Sequence, residues 1–192
     1  MKIYLLDRNN TIVECWKDCF KDCEDVEVVC DDFARFMSSH DVECVVSPAN
    51  AFGLMDGGYD LAISKYFGWD LQKKVQKYII DNYFGEQPVG SSIIVDINDK
   101  QKLIHTPSMR TPSHIKDPMV VYSCMRTCLM LAIKNNIKSI VIPAFGGECG
   151  NVSFSLLAEM MFQAYQQVKN PPKEITWEYT RQLNNKINKS TV

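Results

Sequence analysis

The chain lacks the sequence features of membrane and secreted proteins. No apolar run in its 192 residues approaches the roughly 20 residues that span a bilayer. The stretch Ile3 to Leu6 is too short for the apolar part of a signal peptide, and no small-residue cleavage site follows it. We therefore expect a soluble protein of the cytoplasm, or of cytoplasm and nucleus, with no membrane partner.

Basic residues are also few. The 21 Lys and Arg residues are outnumbered by 23 Asp and Glu residues, so the net charge is −2, and basic residues cluster only modestly near the C-terminus. Proteins that bind duplex nucleic acid usually present a basic face, so we expect no duplex nucleic acid partner. An anionic ligand would have to be bound mainly by backbone amides.

Metal-binding patterns are missing as well. The chain has eight cysteines but no CxxC pair and no histidine beside them, so neither a metal nor a cofactor is indicated. Without a secretory signal the cysteines are expected to be reduced. Three of them are spaced four residues apart, as are two others, which predicts buried or half-buried structural thiols on helix faces: Cys15, Cys19 and Cys23, and Cys124 and Cys128.

What the sequence does contain is an alternation of short apolar strands and amphipathic helices. The predicted strands are Lys2–Leu6, Val26–Val29, Cys44–Val46, Ser91–Val95, Lys102–His105 and Ser139–Ile142, the fourth and fifth forming a hairpin. The predicted helices are Thr11–Phe20, Asp60–Phe67, Leu71–Tyr83, Met119–Asn135 and Ser153–Val168, with only a turn at Phe33–Met37. This order predicts a three-layer α/β/α sandwich with a mixed, mostly parallel sheet.

The sequence predicts one domain over residues 1–170 and a polar, partly docked tail over residues 171–192. A pattern of Trp177, Tyr179 and Leu183 in the tail suggests a short helix that docks by its aromatic side chains. The last residues, 184–192, are expected to be frayed.

Two glycine-rich loops stand out. Ser47–Tyr59 and Pro143–Val152 each follow an apolar strand and each precede a helix. Glycines allow backbone N–H groups to approach an anion, and the first turn of the following helix adds unpaired donors. Because both loops begin at strand ends, they can face each other across one cleft and bind a diphosphate.

Several segments occur in the order typical of one known family. They are VCDDF (29–33), VSPAN (46–50), DGGYDLAI (56–63), LIHT (103–106) and IPAFGG with Gly150 (142–150). Together they resemble the signatures of the macro domain family, over residues 26–168. The strand and helix before them are an addition to a minimal macro domain. The resemblance implies binding of ADP-ribose, or of a substrate that carries it.

The resemblance also implies site residues. Asp32 would accept the adenine amino group, with Phe33 beside it, although Asp32 could instead cap the following turn. The two loops would supply the remaining ligand contacts: Ser47, Ala49, Asp56, Gly57, Gly58, Tyr59, Phe145, Gly146, Gly147, Glu148, Cys149, Gly150 and Asn151. Arg110 is the candidate for a charged contact to the distal part of the ligand, against a role in bracing its loop.

Two residues are the catalytic candidates. In the hydrolase branch of the family, Asn50 would bind the distal ribose and Asp60 would help to activate a water molecule. A carboxylate near the anomeric carbon stabilises oxocarbenium-like charge, and an amide that orients the ribose improves alignment. Asp60 could equally serve as a first-turn acid that the helix dipole favours.

Three positions depart from the family pattern. Ser47 replaces the first asparagine of the signature, which we expect to alter only a local backbone contact. Asp56 and Glu148 stand where glycines are usual, so each brings a carboxylate near a diphosphate site. Each must point away, bind a hydroxyl or a metal, or weaken the ligand.

Three functions therefore remain open. The first is a hydrolase of ADP-ribose conjugates, namely mono-ADP-ribosyl esters, ADP-ribose 1″-phosphate or O-acetyl-ADP-ribose. The second is a module that binds ADP-ribose without turning it over. A remote third is a Rossmann-like methyltransferase, suggested by acids after the first two strands but opposed by the absence of a GxGxG loop after the first.

Overall fold

The computed structural model describes residues 1–190. Its strands are β1 (Lys2–Asp7), β2 (Val26–Cys30), β3 (Cys44–Ser47), β4 (Ile93–Asp96), β5 (Lys102–His105) and β6 (Ser139–Ile142). Its helices are α1 (Asn10–Phe20), α2 (Phe33–Ser39), α3 (Gly58–Phe67), α4 (Asp70–Tyr83), α5 (Met119–Lys134), α6 (Phe154–Lys169) and α7 (Trp177–Ser190). No helix in the described part is long and apolar enough to cross a membrane.

The six strands form one sheet in the order β2-β1-β6-β3-β5-β4. All neighbours are parallel except β4, which pairs antiparallel with β5 as the predicted hairpin. Strand β6 is therefore central, which fits its nearly continuous apolar sequence. The mixed, mostly parallel sheet confirms the predicted fold class.

Two apolar cores lie on opposite faces of the sheet. Successive side chains of a strand point to opposite faces, and in β6 Ile140 and Ile142 belong to one core whereas Val141 belongs to the other. The first core packs against α1, α5 and α6, and the second against α2, α3 and α4. The result is the three-layer sandwich that the alternating pattern predicts.

The segment after β2 is a helix, where the sequence predicted only a turn. Phe33, Phe36 and Met37 lie on one face of α2 and are buried in the second core. Their i, i+3, i+4 spacing is the helical pattern, but a helix of seven residues is too short for that pattern to be distinctive. Asp32 is the N-cap residue, and its carboxylate accepts hydrogen bonds from the backbone N–H groups of Ala34 and Arg35.

The C-terminal helix α7 is longer than expected and docks only in part as predicted: Tyr179 is half-buried, and its hydroxyl accepts a hydrogen bond from the Gln167 amide at 3.2 Å. Trp177 is 79% exposed, so its predicted docking role is wrong, whereas Ile187 is 4% exposed and belongs to the first core together with Leu183 beside it. The i, i+4 spacing of the two aliphatic side chains places them on one helix face. The helix continues through Ser190, where fraying was expected, and the last two residues of that prediction lie outside the described residues.

The burial of α7 generates a stability prediction. Ile187→Ala should lower the free energy of unfolding by about 2 kcal/mol, because it removes buried aliphatic contacts between α7 and the core. The matched control is Trp177→Ala, which should change that free energy by less than about 0.5 kcal/mol, since the indole is exposed. Urea unfolding monitored by circular dichroism measures both. Equal effects of the two substitutions would contradict a docked α7.

Candidate functional site

A cavity of about 550 Å³ lies at the carboxyl edge of the sheet. Its walls are the segments that follow β1, β2, β3, β5 and β6. In open α/β sheets this edge is where ligands bind. The cavity brings together most of the predicted site residues: Asp32, Phe33, Ala49, Asn50, Asp56, Gly57, Gly58, Tyr59, Asp60, Gly146, Gly147, Glu148 and Cys149.

Four predicted loop residues do not line the cavity. Phe145 is fully buried in the first core, so its predicted ligand contact is wrong. Ser47 is also fully buried and lies behind the wall. Gly150 packs on the backbone of Gly146, and Asn151 donates its backbone N–H to the carbonyl of Glu148 at 3.0 Å. Ser47, Gly150 and Asn151 therefore hold the loops that line the cavity, and their contacts to a ligand stay predictions.

Arg110 is the fifth predicted site residue that does not line the cavity. Its Nε and Nη2 atoms donate to the two carboxylate oxygens of Glu86 at 2.7 and 3.0 Å, and its guanidinium lies over the ring of Phe52 at 5.0 Å. A bidentate pair of this kind fixes the direction of the side chain. Arg110 therefore braces its loop in this structure, and its contact to the distal part of the ligand stays a prediction.

The loop that carries Asn50 is tied to the chain after β5. The backbone N–H of Ala51 donates to the carbonyl of Met109 at 3.1 Å, and that of Ser108 donates to the carbonyl of Ala49 at 3.0 Å. The Asn50 amide also bonds within its own loop: its Nδ2 donates to the Leu54 carbonyl at 2.7 Å, and its Oδ1 accepts from the N–H groups of Phe52 and Leu54. Asn50 is thus held rigidly at the cavity wall.

The N-terminus of α3 opens into the cavity. Gly57 is its N-cap residue, and no side chain caps the helix there. The first N–H groups of a helix have no intrahelical partner, and the helix dipole places partial positive charge on them. Gly57, Gly58 and Tyr59 line the cavity, so this end of the helix is suited to bind an anion.

Asp60 is a buried carboxylate in the first turn of α3. Its Oδ1 accepts a hydrogen bond from the Ser47 hydroxyl at 2.7 Å, so the expectation that Ser47 alters only a local backbone contact is wrong. Burial raises the pKa of Asp60 to about 7, the Ser47 hydrogen bond opposes that rise, and the negative charge of Asp56 adds to it. Near neutral pH, Asp60 can therefore both accept and release a proton.

Phe33 and Tyr59 form an aromatic pair in the cavity wall. The rings of Phe33 and Tyr59 meet edge to face with their centroids 5.2 Å apart. The Tyr59 hydroxyl is buried and has no hydrogen-bond partner among the described residues. Burial raises the pKa of Tyr59 well above its usual value, and the charges of Asp7, Asp60 and Asp32 raise it further. The hydroxyl is thus a protonated donor surrounded by carboxylates.

The second glycine loop depends on close backbone contact. Gly146 has φ +84°, a conformation that other residues rarely adopt. A Cβ atom on Gly150 would lie 2.5 Å from the carbonyl oxygen of Gly146, so no side chain fits there. The backbone of Val152 donates back to the same carbonyl at 3.2 Å. These contacts fold residues 146–150 into a tight turn beside the cavity.

The two unexpected carboxylates both line the cavity. Glu148 forms an ion pair with Arg8, with 3.6 Å between its Oε1 and the Arg8 Nη2, and its other oxygen approaches Gly58. Asp56 is exposed and lies near enough to Asp60 to raise the pKa of that acid. Neither side chain points away from the site, which removes one of the three expected alternatives.

The sequence reasoning missed the loop after β1. Asp7, Arg8 and Asn9 line the cavity because β1 lies between β2 and β6 in the sheet, so that its carboxyl end reaches the same edge. Burial raises the pKa of Asp7, and the charge of Glu148 contributes. The sequence did contain a signal for this loop, because Asp7 is an acid at the end of an apolar strand, as are the acids that follow β2.

His105 is buried and has a structural role. Its Nδ1 lies 2.7 Å from the Oε1 of Gln87, and burial lowers its pKa to about 3. An imidazole that stays neutral at physiological pH cannot carry protons there. It fixes the position of Gln87, whose Nε2 donates to the His105 carbonyl at 3.3 Å.

All eight cysteines are free. Six are buried or half-buried, namely the five for which this was predicted and Cys44. Cys23 follows the end of α1, so its predicted place on a helix face is wrong, and Cys30 and Cys149 are exposed. Burial raises the pKa of Cys44 to about 12, so its thiol is unreactive. Cys30 is the last residue of β2, and Cys149 lies in the second glycine loop. Neither lies on a helix, so helical spacing gave no information about their burial.

Comparison with known proteins identifies the family. The family model "Macro domain" matches residues 46–161. An uncharacterized protein of Aquifex aeolicus is 30% identical over 126 residues, which cover 64% of this chain and 72% of the relative. A macro domain-containing protein of Listeria monocytogenes is 32% identical over 111 residues, which cover 56% of this chain and 61% of the relative.

A solved structure agrees with the sequence match. It is a mutant of the Oceanobacillus iheyensis macrodomain with ADPR, and it superposes with a TM-score of 0.59 at 19% identity, covering 81% of this chain and 89% of its own. At 19% identity, the similarity between the two structures shows the fold alone. The family model, however, covers more than half of the sequence. The chain belongs to the macro domain family.

Proposed function

We propose that the protein binds ADP-ribose and hydrolyses ADP-ribose conjugates. The observation that carries the proposal is the buried Asp60 carboxylate at the cavity wall, which the Ser47 hydroxyl holds at 2.7 Å and whose pKa is about 7. The candidate substrates are mono-ADP-ribosyl esters, ADP-ribose 1″-phosphate and O-acetyl-ADP-ribose. The cytoplasmic location inferred above stays a prediction.

The two ends of the cavity suit the two ends of ADP-ribose. The Asp32 carboxylate, beside the Phe33 ring, offers an acceptor for the adenine amino group. The uncapped N-terminus of α3 and the turn at Gly146 and Gly147 offer backbone donors for the diphosphate. The distal ribose would then lie near Asn50 and Asp60.

Hydrolysis at the anomeric carbon follows from this placement. A water molecule donates a proton to Asp60 as its oxygen bonds to C1″. In a mono-ADP-ribosyl ester or ADP-ribose 1″-phosphate, the bond from C1″ to the leaving oxygen breaks, and the carboxylate or phosphate departs with the bonding electrons. A carboxylate next to the ribose also stabilises the positive charge that develops on the ring. A pKa near the working pH is favourable for such a base.

A non-catalytic ADP-ribose-binding module is the second candidate, and one observation favours it. Both polar atoms of the Asn50 side chain are already hydrogen-bonded within its loop. To orient a ribose hydroxyl, Asn50 must share or exchange one of these bonds. The methyltransferase alternative is not pursued, because the Macro domain model matches residues 46–161, which include both glycine-rich loops of the cavity.

Asp32 generates the first prediction. Asp32→Ser keeps a residue that caps α2 well but removes the carboxylate, so the Kd for ADP-ribose should rise about 10- to 100-fold. That corresponds to about 1.5 to 3 kcal/mol for a hydrogen bond to a charged group. Isothermal titration calorimetry with ADP-ribose measures the Kd.

A ligand with hypoxanthine in place of adenine is the control for this assignment. Its ring carries a carbonyl where adenine carries the amino group, so it should bind the wild-type protein weakly and be insensitive to Asp32→Ser. An unchanged Kd for ADP-ribose in the variant would refute the adenine contact. No binding of ADP-ribose to the wild-type protein at 1 mM, roughly the weak end of specific affinities, would refute the proposed function itself.

Asp60 generates a kinetic prediction. Asp60→Asn should lower kcat/KM for a mono-ADP-ribosyl ester by about 10²- to 10⁴-fold, the usual contribution of a general base. In the wild-type enzyme, log kcat/KM should rise with slope about 1 up to pH 7 and then level, because the deprotonated acid is the active form and its pKa is about 7. A carboxylate with an ordinary pKa would give a profile that is already flat above about pH 5.

Asp70→Asn is the matched control. Asp70 is also an acid in the first turn of a helix, but it pairs with Lys73 and lies outside the cavity wall. Its substitution should leave kcat/KM within about twofold of the wild type. Equal rates for Asp60→Asn and the wild type would remove Asp60 from catalysis. Binding of ADP-ribose with no turnover by either protein would favour the binding module.

A further inference from the structure

The charge of the cavity wall is poorly matched to a diphosphate. Among the described residues that line it, Arg8 is the one cation, and it stands against six carboxylates: Asp7, Asp31, Asp32, Asp56, Asp60 and Glu148. Backbone donors carry only partial charge. Among the described residues of the wall, Arg8 therefore offers the one full positive charge to a ligand with two phosphate charges. Arg8 lies in the segment that precedes the family match.

The position of Arg8 is fixed on both sides by its neighbours. Asp7 accepts a hydrogen bond from the backbone N–H of Asn9 at 2.8 Å, and the Asn9 side chain accepts one from the N–H of Thr11 at 2.9 Å, which caps α1. The turn is thus anchored between β1 and α1. The Arg8 side chain itself is 79% exposed, so it can reorient without disturbing the fold.

Glu148 connects this turn to the opposite side of the cavity. One of its carboxylate oxygens lies 3.6 Å from the Arg8 guanidinium, and the other lies 3.4 Å from the position that a Cβ atom on Gly58 would take. Gly58 is the first residue of α3. The carboxylate of Glu148 therefore lies between the Arg8 side chain and the helix N-terminus that favours an anion.

We propose that Arg8 binds the diphosphate of ADP-ribose, and that Glu148 competes with the diphosphate for Arg8 in the unliganded protein. The inference rests on the proposed function and adds a specificity-determining pair to it. An exposed ion pair of this kind contributes little free energy, so a diphosphate can replace it at low cost. The planar guanidinium can donate two parallel hydrogen bonds to phosphate oxygens.

The pair makes opposite predictions for its two members. Arg8→Gln should raise the Kd for ADP-ribose about 10-fold, because it removes a charge-assisted hydrogen bond. Glu148→Gln should lower the Kd about 3- to 10-fold, since the amide neither repels the diphosphate nor holds the guanidinium as strongly. In the Arg8→Gln background, the gain from Glu148→Gln should shrink. Titration calorimetry at low salt measures all four proteins.

The salt dependence of the Kd for ADP-ribose distinguishes the loss of an ionic contact from a change in the shape of the cavity. The Kd of the wild-type protein should rise with KCl concentration, and the rise should be shallower for Arg8→Gln, because screening acts on the charge that this variant lacks. Arg181→Gln removes the same charge from an exposed position on α7, outside the cavity wall, and should leave both the Kd and its salt dependence unchanged. Thermal unfolding checks that all variants fold.

The outcomes distinguish this inference from the proposed function. If the wild-type protein binds ADP-ribose and Arg8→Gln binds it within twofold, Arg8 does not contact the diphosphate and the inference is overturned alone. If Glu148→Gln weakens binding, Glu148 assists the ligand and the competition is wrong. If the wild-type protein does not bind ADP-ribose, the proposed function and this inference fail together.

Discussion

The site depends on the parallel pairing of β3 with β6. Their register places Cys44 opposite Ile140 and Val45 opposite Val141. The two strands therefore end side by side, and the glycine loops that follow them begin next to each other at the carboxyl edge of the sheet. A shift of one residue would exchange the side chains of a strand between the two cores and displace the two loops relative to each other. Because both strands are covered on both faces, the cores that stabilise the fold also set the width of the cavity.

The elements most accurately predicted from sequence are those with the strongest burial constraints. Strands β5 and β6 have the bounds that their apolar runs predict, because a strand buried in a sheet leaves little freedom in its composition. Helix α2 was missed because three apolar residues over one and a half turns do not distinguish a helix from a packed turn. Local pattern is informative only where an element is long or fully buried.

The differences between prediction and structure at the site have a separate origin. The role of Arg110 depends on Glu86, which lies 24 residues earlier in the chain, and the burial of Phe145 depends on helices that pack over it. No local pattern encodes either contact. The same limit explains why the loop after β1 was overlooked: the acid at Asp7 is visible in the sequence, but the insertion of β1 between β2 and β6 is a property of the sheet order. The resemblance to family motifs located the two glycine loops, because close backbone contacts within the loops themselves require glycine there.

The position of β1 bears on where this domain begins. The family model starts at residue 46, yet β6, which lies inside the matched segment, takes β1 as its hydrogen-bonding neighbour through Lys2–Ser139 and the three pairs that follow. A fragment cut at the boundary of the match would leave an apolar central strand as a bare sheet edge, which is a template for aggregation. The folded unit therefore extends beyond the segment that the family model matches.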